Sequence, residues 1–153
     1  MSNAKRPADG AIDLGHLTTD ISFVSRVLRA RLLERNTGLF AAHNVAPGQV
    51  ALLNLIALNP GVSQKQLSDV VVLKKSALTK AINEMESDGL IERRKTDGDK
   101  RYNALYLSEK GQSLAEALRR DMVASQEHHL APLSAAERAQ FFDMIWRLIK
   151  ATP

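Results

Sequence analysis

One stretch, residues 63–111, constrains the fold more than any other: SQKQLSDVVVLKKSALTKAINEMESDGLIERRKTDGDKRYNALYLSEKG. Ser63-Gln64-Lys65-Gln66 is a capping box of the S-x-x-Q kind, which predicts a helix starting at Ser63. That helix is short, with Leu67, Val70 and Val71 directed inward, and Val71-Val72-Leu73 turns the chain into a second helical pattern near Lys74. In it Leu78, Ile82 and Met85 fall at i, i+4 and i+7, giving one apolar face. Lys75, Ser76, Thr79, Lys80 and Asn83 occupy the other face and can donate hydrogen bonds to phosphates or base edges. Lys74 and Lys75 stand where the helix dipole favours carboxylates, which suits a polyanionic partner. A merely solvated basic face is the simpler alternative.

Gly89 then reads as a left-handed cap. Residues 90–95 and 102–107 read as two strands, with Leu105 and Leu107 on one face and Ala104 and Tyr106 on the other. Thr96-Asp97-Gly98-Asp99 supplies the turn between them. Arg93, Arg94, Lys95, Lys100 and Arg101 crowd this hairpin. Two short helices joined by a tight turn and followed by a hairpin form a helix-turn-helix with a wing.

The flanks are helical. Residues 1–11 are polar with no periodicity and read as a disordered tail. Across residues 13–36, Leu14, Leu17, Ile21, Val24 and Leu28 step by 3, 4, 3, 4, and Phe23, Val27, Leu32 and Leu33 widen the stripe, as in a helix shared between a core and a partner subunit. A connection containing Gly38 follows. Another helix opens at Pro47 behind the poor cap Ala46 and is stopped by Asn59-Pro60-Gly61. Ser108 caps a long helix with Leu114, Leu118 and Met122 on one stripe, which Pro132 breaks. Ser134-Ala135-Ala136-Glu137 starts the last helix, where Phe141, Phe142, Ile145, Trp146, Leu148 and Ile149 are apolar around more than half the circumference. Such a helix needs cover, which dimerisation with the first helix would supply.

At 153 residues the chain suits one domain of ordinary size. Its net charge of +4 and pI ≈ 9.6 favour an acidic partner. Cysteine is absent, which excludes disulfides and thiolate chemistry. No apolar run reaches the roughly 18 residues of a membrane span, so the expectation is a cytoplasmic protein without a membrane partner.

The spacing from Leu67 to Gly111 resembles the MarR family of winged helix-turn-helix transcriptional regulators. Residues 67–91 line up without a gap against that family's recognition-helix pattern. Asp99-Lys100-Arg101 followed by L-x-L-S-x-x-G at Leu105 to Gly111 matches its wing signature. The resemblance implies a mainly α fold with a small β-hairpin, organised as one domain over 12–153. The winged helix-turn-helix would span about 46–108, between dimerisation helices at about 13–36 and 109–150. It implies a homodimeric repressor on a pseudo-palindromic operator in double-stranded DNA, released by a small aromatic or anionic effector.

Phosphate contacts are expected from Ser63, Gln64, Lys65, Lys74, Lys75, Lys80 and the wing residues Arg93, Arg94, Lys95 and Lys100. Base contacts are expected from Ser76, Ala77, Thr79, Lys80 and Asn83. Arg101 matches the family's minor-groove arginine, which Asp99 would orient by a fork pair. Three positions depart from the usual pattern: Val72 where Gly is common, Lys74 where Asp or Ser is, and Asn83 where Asp is. The last removes a charge that could tie the recognition helix to the wing.

Other chemistry has less support. An effector pocket is expected at Phe23, Phe40, His43 and Val50, against the plainer reading of core aromatics and a structural histidine. His128 and His129 are adjacent and point to different helix faces, so no metal site is expected. A metal-responsive regulator using His43 or His128 stays as an alternative. So does a winged-helix module binding an acidic protein. No phosphate loop, nucleophile elbow or zinc-hydrolase motif is present, so neither an enzyme nor a cofactor is expected.

Overall fold

The structure, a computed structural model, describes residues 12–96 and 99–151, without the side chains of residues 96 and 99–103. The expected tail at 1–11 and the Asp97-Gly98 turn lie outside the described residues. The chain divides into two compact units at the link between Thr37 and Gly38.

The first unit holds a 3₁₀ turn, Gly15–Thr19, and most of helix α1, Ile21–Ala42. The single helix expected over 13–36 is therefore split and displaced. Asp13 Oδ1 accepts the Gly15 N–H at 2.9 Å, and Asp20 Oδ1 accepts the Phe23 N–H at 2.7 Å. Each aspartate offers its own backbone an alternative to helical hydrogen bonds, so the α-helix starts only after the second. At its other end α1 runs through Gly38, where the sequence predicts a connection. It stops at Asn44, in the left-handed region at φ 51°. There the Asn44 N–H donates to Ala41 O at 3.1 Å and the Val45 N–H to Phe40 O at 3.0 Å, a Schellman closure with asparagine in the glycine position.

The second unit continues with α2 (Pro47–Leu58), β1 (Val62–Ser63), α3 (Gln64–Val70), α4 (Lys75–Ser87), β2 (Ile91–Thr96), β3 (Asp99–Leu107), α5 (Glu109–Leu130) and α6 (Ala135–Ala151). Ala46 has no capping side chain, but Gln49 reaches back and accepts its N–H at 3.0 Å. Leu52, Leu53 and Ile56 of α2 meet Leu67 of α3, Leu78, Ile82 and Met85 of α4, Leu105 of β3 and Leu118 of α5 in a core closed to water. The inward direction expected of Val70 is wrong: it is exposed, because α3 ends there and only Leu67 reaches the core.

The hairpin belongs to a three-stranded antiparallel sheet of order β1-β3-β2. The two-residue β1, where Val62 faces Leu105 and Ser63 faces Ala104, was not foreseen. It is too short to show alternation. β3 also begins at Asp99 rather than at the expected residue 102. Gly89, at φ 70°, closes α4 through Gly89 N–H to Glu86 O (3.0 Å) and Leu90 N–H to Met85 O (2.9 Å).

α5 is seated on that closure. Ser108 Oγ accepts the Gly111 N–H at 3.0 Å and donates to Gly89 O at 2.6 Å, while the Ser108 N–H donates to Leu90 O at 3.0 Å. Gly111 lies so close that a Cβ there would stand 1.9 Å from Leu90 O. α6 opens on the expected box: Ser134 donates to Glu137 Oε2 from its N–H and its hydroxyl, both at 2.7 Å. These two bonds, backbone first, hold the exposed Glu137 carboxyl below its ordinary pKa. No residue of α6 is buried, and Trp146, Leu148 and Ile149 are each more than half exposed. Among the described residues, no single helix is long and apolar enough to cross a membrane.

Candidate nucleic-acid interface

The outward face of α4 is the chemistry-bearing surface. With Leu78, Ile82 and Met85 fully buried, helical periodicity turns Lys75, Ser76, Thr79, Lys80 and Asn83 outward together, with Glu84 at the edge of the strip. The first turn carries no acid, and Lys74 is the N-cap without a capping side chain. Unpaired amides and lysine charges thus coincide at the positive end of the dipole, an arrangement suited to an anion. Lys80 lies 3.7 Å from Glu84, but both are well exposed and the pair is weak. Ala77 is also exposed on this helix.

α3 fixes the tilt of α4. Gln64 Nε2 donates to Thr79 Oγ1 at 2.7 Å, and that hydroxyl donates on to Lys75 O at 3.0 Å. The expected phosphate ligand Gln64 and the expected base reader Thr79 are therefore bonded to each other. Ser63 is buried, with its hydroxyl held inside the capping box: it accepts the Gln66 N–H at 3.1 Å and donates to Gln66 Oε1 at 3.0 Å. Lys65 is exposed beside it.

The wing is locked to α4 by Arg93. Its Nη2 donates to Asn83 Oδ1 at 2.6 Å, and its Nη1 lies 2.9 Å from Glu86 Oε2, with the side chain 28% exposed. The tie that an aspartate at position 83 would make survives with a neutral amide, because Glu86 supplies the charge one turn along. Glu86 is a functional neighbour that the sequence reading missed, although its i+3 spacing from Asn83 placed it on the same face.

Strand alternation puts Arg94 on the opposite sheet face from Arg93. There it pairs with Glu92 at 3.0 Å and lies 4.5 Å over the Tyr106 ring, apart from the α4 strip. Lys95 is exposed on the hairpin. The side chains of Asp99, Lys100 and Arg101 lie outside the described residues; their backbone belongs to β3, with Asp99 opposite Thr96.

The residues expected to form an effector pocket are dispersed in role. Phe40 and Val50 are core, and Phe23 lies in the first unit. His43, with 18% of its side chain exposed, sets Nε2 2.7 Å from Asp121 Oδ2 of α5. Asp121 escaped the sequence reading: 78 positions separate it from His43, and no local pattern links them. Among the described residues, no group of three His, Asp or Glu side chains is placed to hold a metal ion.

Comparison with known proteins agrees with this geometry. Residues 43–101 match the MarR family's sequence pattern. The regulatory protein assigned to the hcr operon of Thauera aromatica is 30% identical over 106 residues, covering 69% of this chain and 64% of that protein. The chain thus spans a little under two thirds of that relative. The transcriptional regulator HosA of Escherichia coli O111:H- is 28% identical over 103 residues, covering 67% of this chain and 76% of HosA. In fold, the chain superposes on the repressor CouR bound to a 23-mer DNA duplex with a TM-score of 0.83 at 20% identity, covering 91% and 99% of the two chains. The Streptomyces coelicolor regulator PcaV, solved with its natural ligand, gives a TM-score of 0.76 at 27% identity, covering 94% and 99%. Over residues 43–101 the chain matches the MarR family, and it shares its winged helix-turn-helix fold with the DNA-bound repressor CouR.

Proposed function

We propose that this protein is a cytoplasmic, sequence-specific DNA-binding transcription regulator that acts as a homodimeric repressor on a pseudo-palindromic operator. The observation that carries the reading is the α4 strip: five hydrogen-bonding side chains turned outward from a fully buried face, beside a wing root bolted to the same helix by Arg93. α4 would enter the major groove, with Ser76, Ala77, Thr79, Lys80 and Asn83 at the base edges and Lys65, Lys74 and Lys75 at phosphates. Arg101, oriented by Asp99, would reach the adjacent minor groove. That CouR, which has the same fold, is bound to a 23-mer DNA duplex supports DNA as the partner.

The dimer would be built on the flanking helices, about 13–36 and 109–150, around the winged segment of about 46–108. The exposed apolar residues of α1 and α6, among them Ile21, Leu28, Trp146 and Ile149, support that assignment. Release by a small ligand is supported by the ligand complex of PcaV. A ligand would act by favouring a dimer whose recognition helices no longer match the roughly 34–36 Å between successive major grooves.

The test is selection of bound duplexes from a random pool at about 150 mM salt, with the recovered sites sequenced. The expected product is an inverted repeat with half-sites one helical turn apart. Salt-sensitive retention without an enriched motif would overturn sequence-specific regulation.

A further inference from the structure

The clamp that holds the wing also fixes which half of the Asn83 amide is left for a partner. Arg93 Nη2 lies 2.6 Å from Asn83 Oδ1, and Arg93 Nη1 lies 2.9 Å from Glu86 Oε2, so the guanidinium is held on two sides. A guanidinium carries donors and no acceptor. The amide atom that meets it must therefore be the carbonyl oxygen, and the flipped amide is incompatible with this neighbour. Nδ2 is turned away from Arg93 and makes no hydrogen bond among the described residues. Asn83 is exposed and lines the same outward strip as Lys75, Ser76, Thr79 and Lys80.

We propose that Asn83 reads guanine in the major groove, acting through Nδ2 as a donor only, and that Arg93 is the positioning residue that sets this polarity. The proposal rests on the function given above and names what one position of that surface selects. An unrestrained asparagine reads adenine, accepting from N6 through Oδ1 while donating to N7 through Nδ2. Here Oδ1 already accepts from a cation at 2.6 Å. An adenine amino group would have to share that oxygen, donor hydrogen beside donor hydrogen.

Guanine presents N7 and O6, two adjacent acceptors, to a group that carries two N–H donors. Thymine offers one acceptor, O4, with a methyl group beside it, and cytosine offers an amino donor that Nδ2 opposes. Guanine is therefore first, thymine second, and adenine and cytosine are disfavoured. Thr79, one turn earlier on the strip, cannot supply the donor instead, because its single hydroxyl proton goes to Lys75 O at 3.0 Å.

Asn83→Asp is the test, since it exchanges one amino group for an oxygen at an exposed position. One carboxylate oxygen keeps the contact with Arg93, now as an ion pair, so the clamp survives; the other places an acceptor where the donor stood. Wild type and variant each go through selection from a random duplex pool at about 150 mM salt, and the recovered sites are compared base by base. One position per half-site is expected to change: wild type favours guanine over adenine there by about tenfold, and the variant loses or reverses that preference. The added negative charge lowers retention of all sequences alike and leaves the base ratios alone. A changed position that holds any other base in the wild-type motif, adenine above all, overturns the proposal. So do identical motifs from the two proteins. If wild type enriches no motif at all, the sequence-specific regulator falls as well, a failure distinct from an unchanged motif, which removes only the role given to Asn83.

Discussion

Replacing Gly111 with alanine tests how α5 is attached to the winged domain. In a helix, glycine to alanine ordinarily stabilises by about 1 kcal/mol. Gly111 is helical and its φ is not in the left-handed region, so backbone freedom gives no reason to keep glycine. Space does. The new Cβ would lie 1.9 Å from Leu90 O and 2.9 Å from Leu90 C, and both are backbone atoms that cannot rotate away. The first turn of α5 must therefore part from the Gly89–Leu90 segment by more than an ångström. That separation stretches the bonds from Ser108 N–H to Leu90 O (3.0 Å), Ser108 Oγ to Gly89 O (2.6 Å) and Lys110 Nζ to Asp88 O (2.7 Å). Losing most of these at about 1 kcal/mol each, with about 1–3 kcal/mol of overpacking, outweighs the propensity gain by about 2–4 kcal/mol. Urea unfolding followed by circular dichroism, at one fixed chain concentration, should show a lower midpoint with an unchanged slope. A midpoint equal to or above wild type would refute the close contact and make Gly111 an ordinary helix position.

Three further outcomes are expected. Arg101→Ala should weaken binding to a selected operator by roughly 1–3 kcal/mol in a gel-shift titration with the oligomeric state unchanged; equal affinity would remove the wing from the proposed mechanism. Truncation after Pro132, which removes α6, should yield monomer or aggregate by sedimentation, whereas a well-behaved dimer would refute the placement of the interface. Glu137→Gln should lower stability at neutral pH, with the difference vanishing in acid. Ser134 depresses the folded carboxyl's pKa, so its contribution is complete above the ordinary glutamate value and is lost as pH falls through the folded value. A difference independent of pH would show that the charge does not matter.

The winged segment was legible in the chain because its signals are local and agree with one another. The Ser63 box, the Leu78-Ile82-Met85 face, Gly89 and the Leu105–Leu107 strand each specify their element without help from distant residues. Where the reading failed, a short polar side chain or a long-range contact decided the outcome. Asp20 moved the start of α1 by capturing the Phe23 amide, and α1 runs on through the connection expected around Gly38 to close at Asn44. In the candidate site, composition identified the outward face of α4 but not how its members spend their hydrogen bonds. Gln64 and Thr79 satisfy each other, Ser63 is buried, and Arg94 lies on the far sheet face; the path of the backbone decides all three. The pairing of His43 with Asp121 belongs to the same class, a contact that exists only once α5 has docked.

The Arg93 clamp has a further consequence. One guanidinium grips Asn83 and Glu86 of the helix from the base of the hairpin, so neither element can tilt without carrying the other. In the proposed complex the two grooves would then be probed by a single stiff caliper, not by two independent fingers. A base change that shifts the helix in its groove would also misplace the wing, and losses at the two positions would not add. Operators would be ranked poorly by any score that sums their bases one at a time.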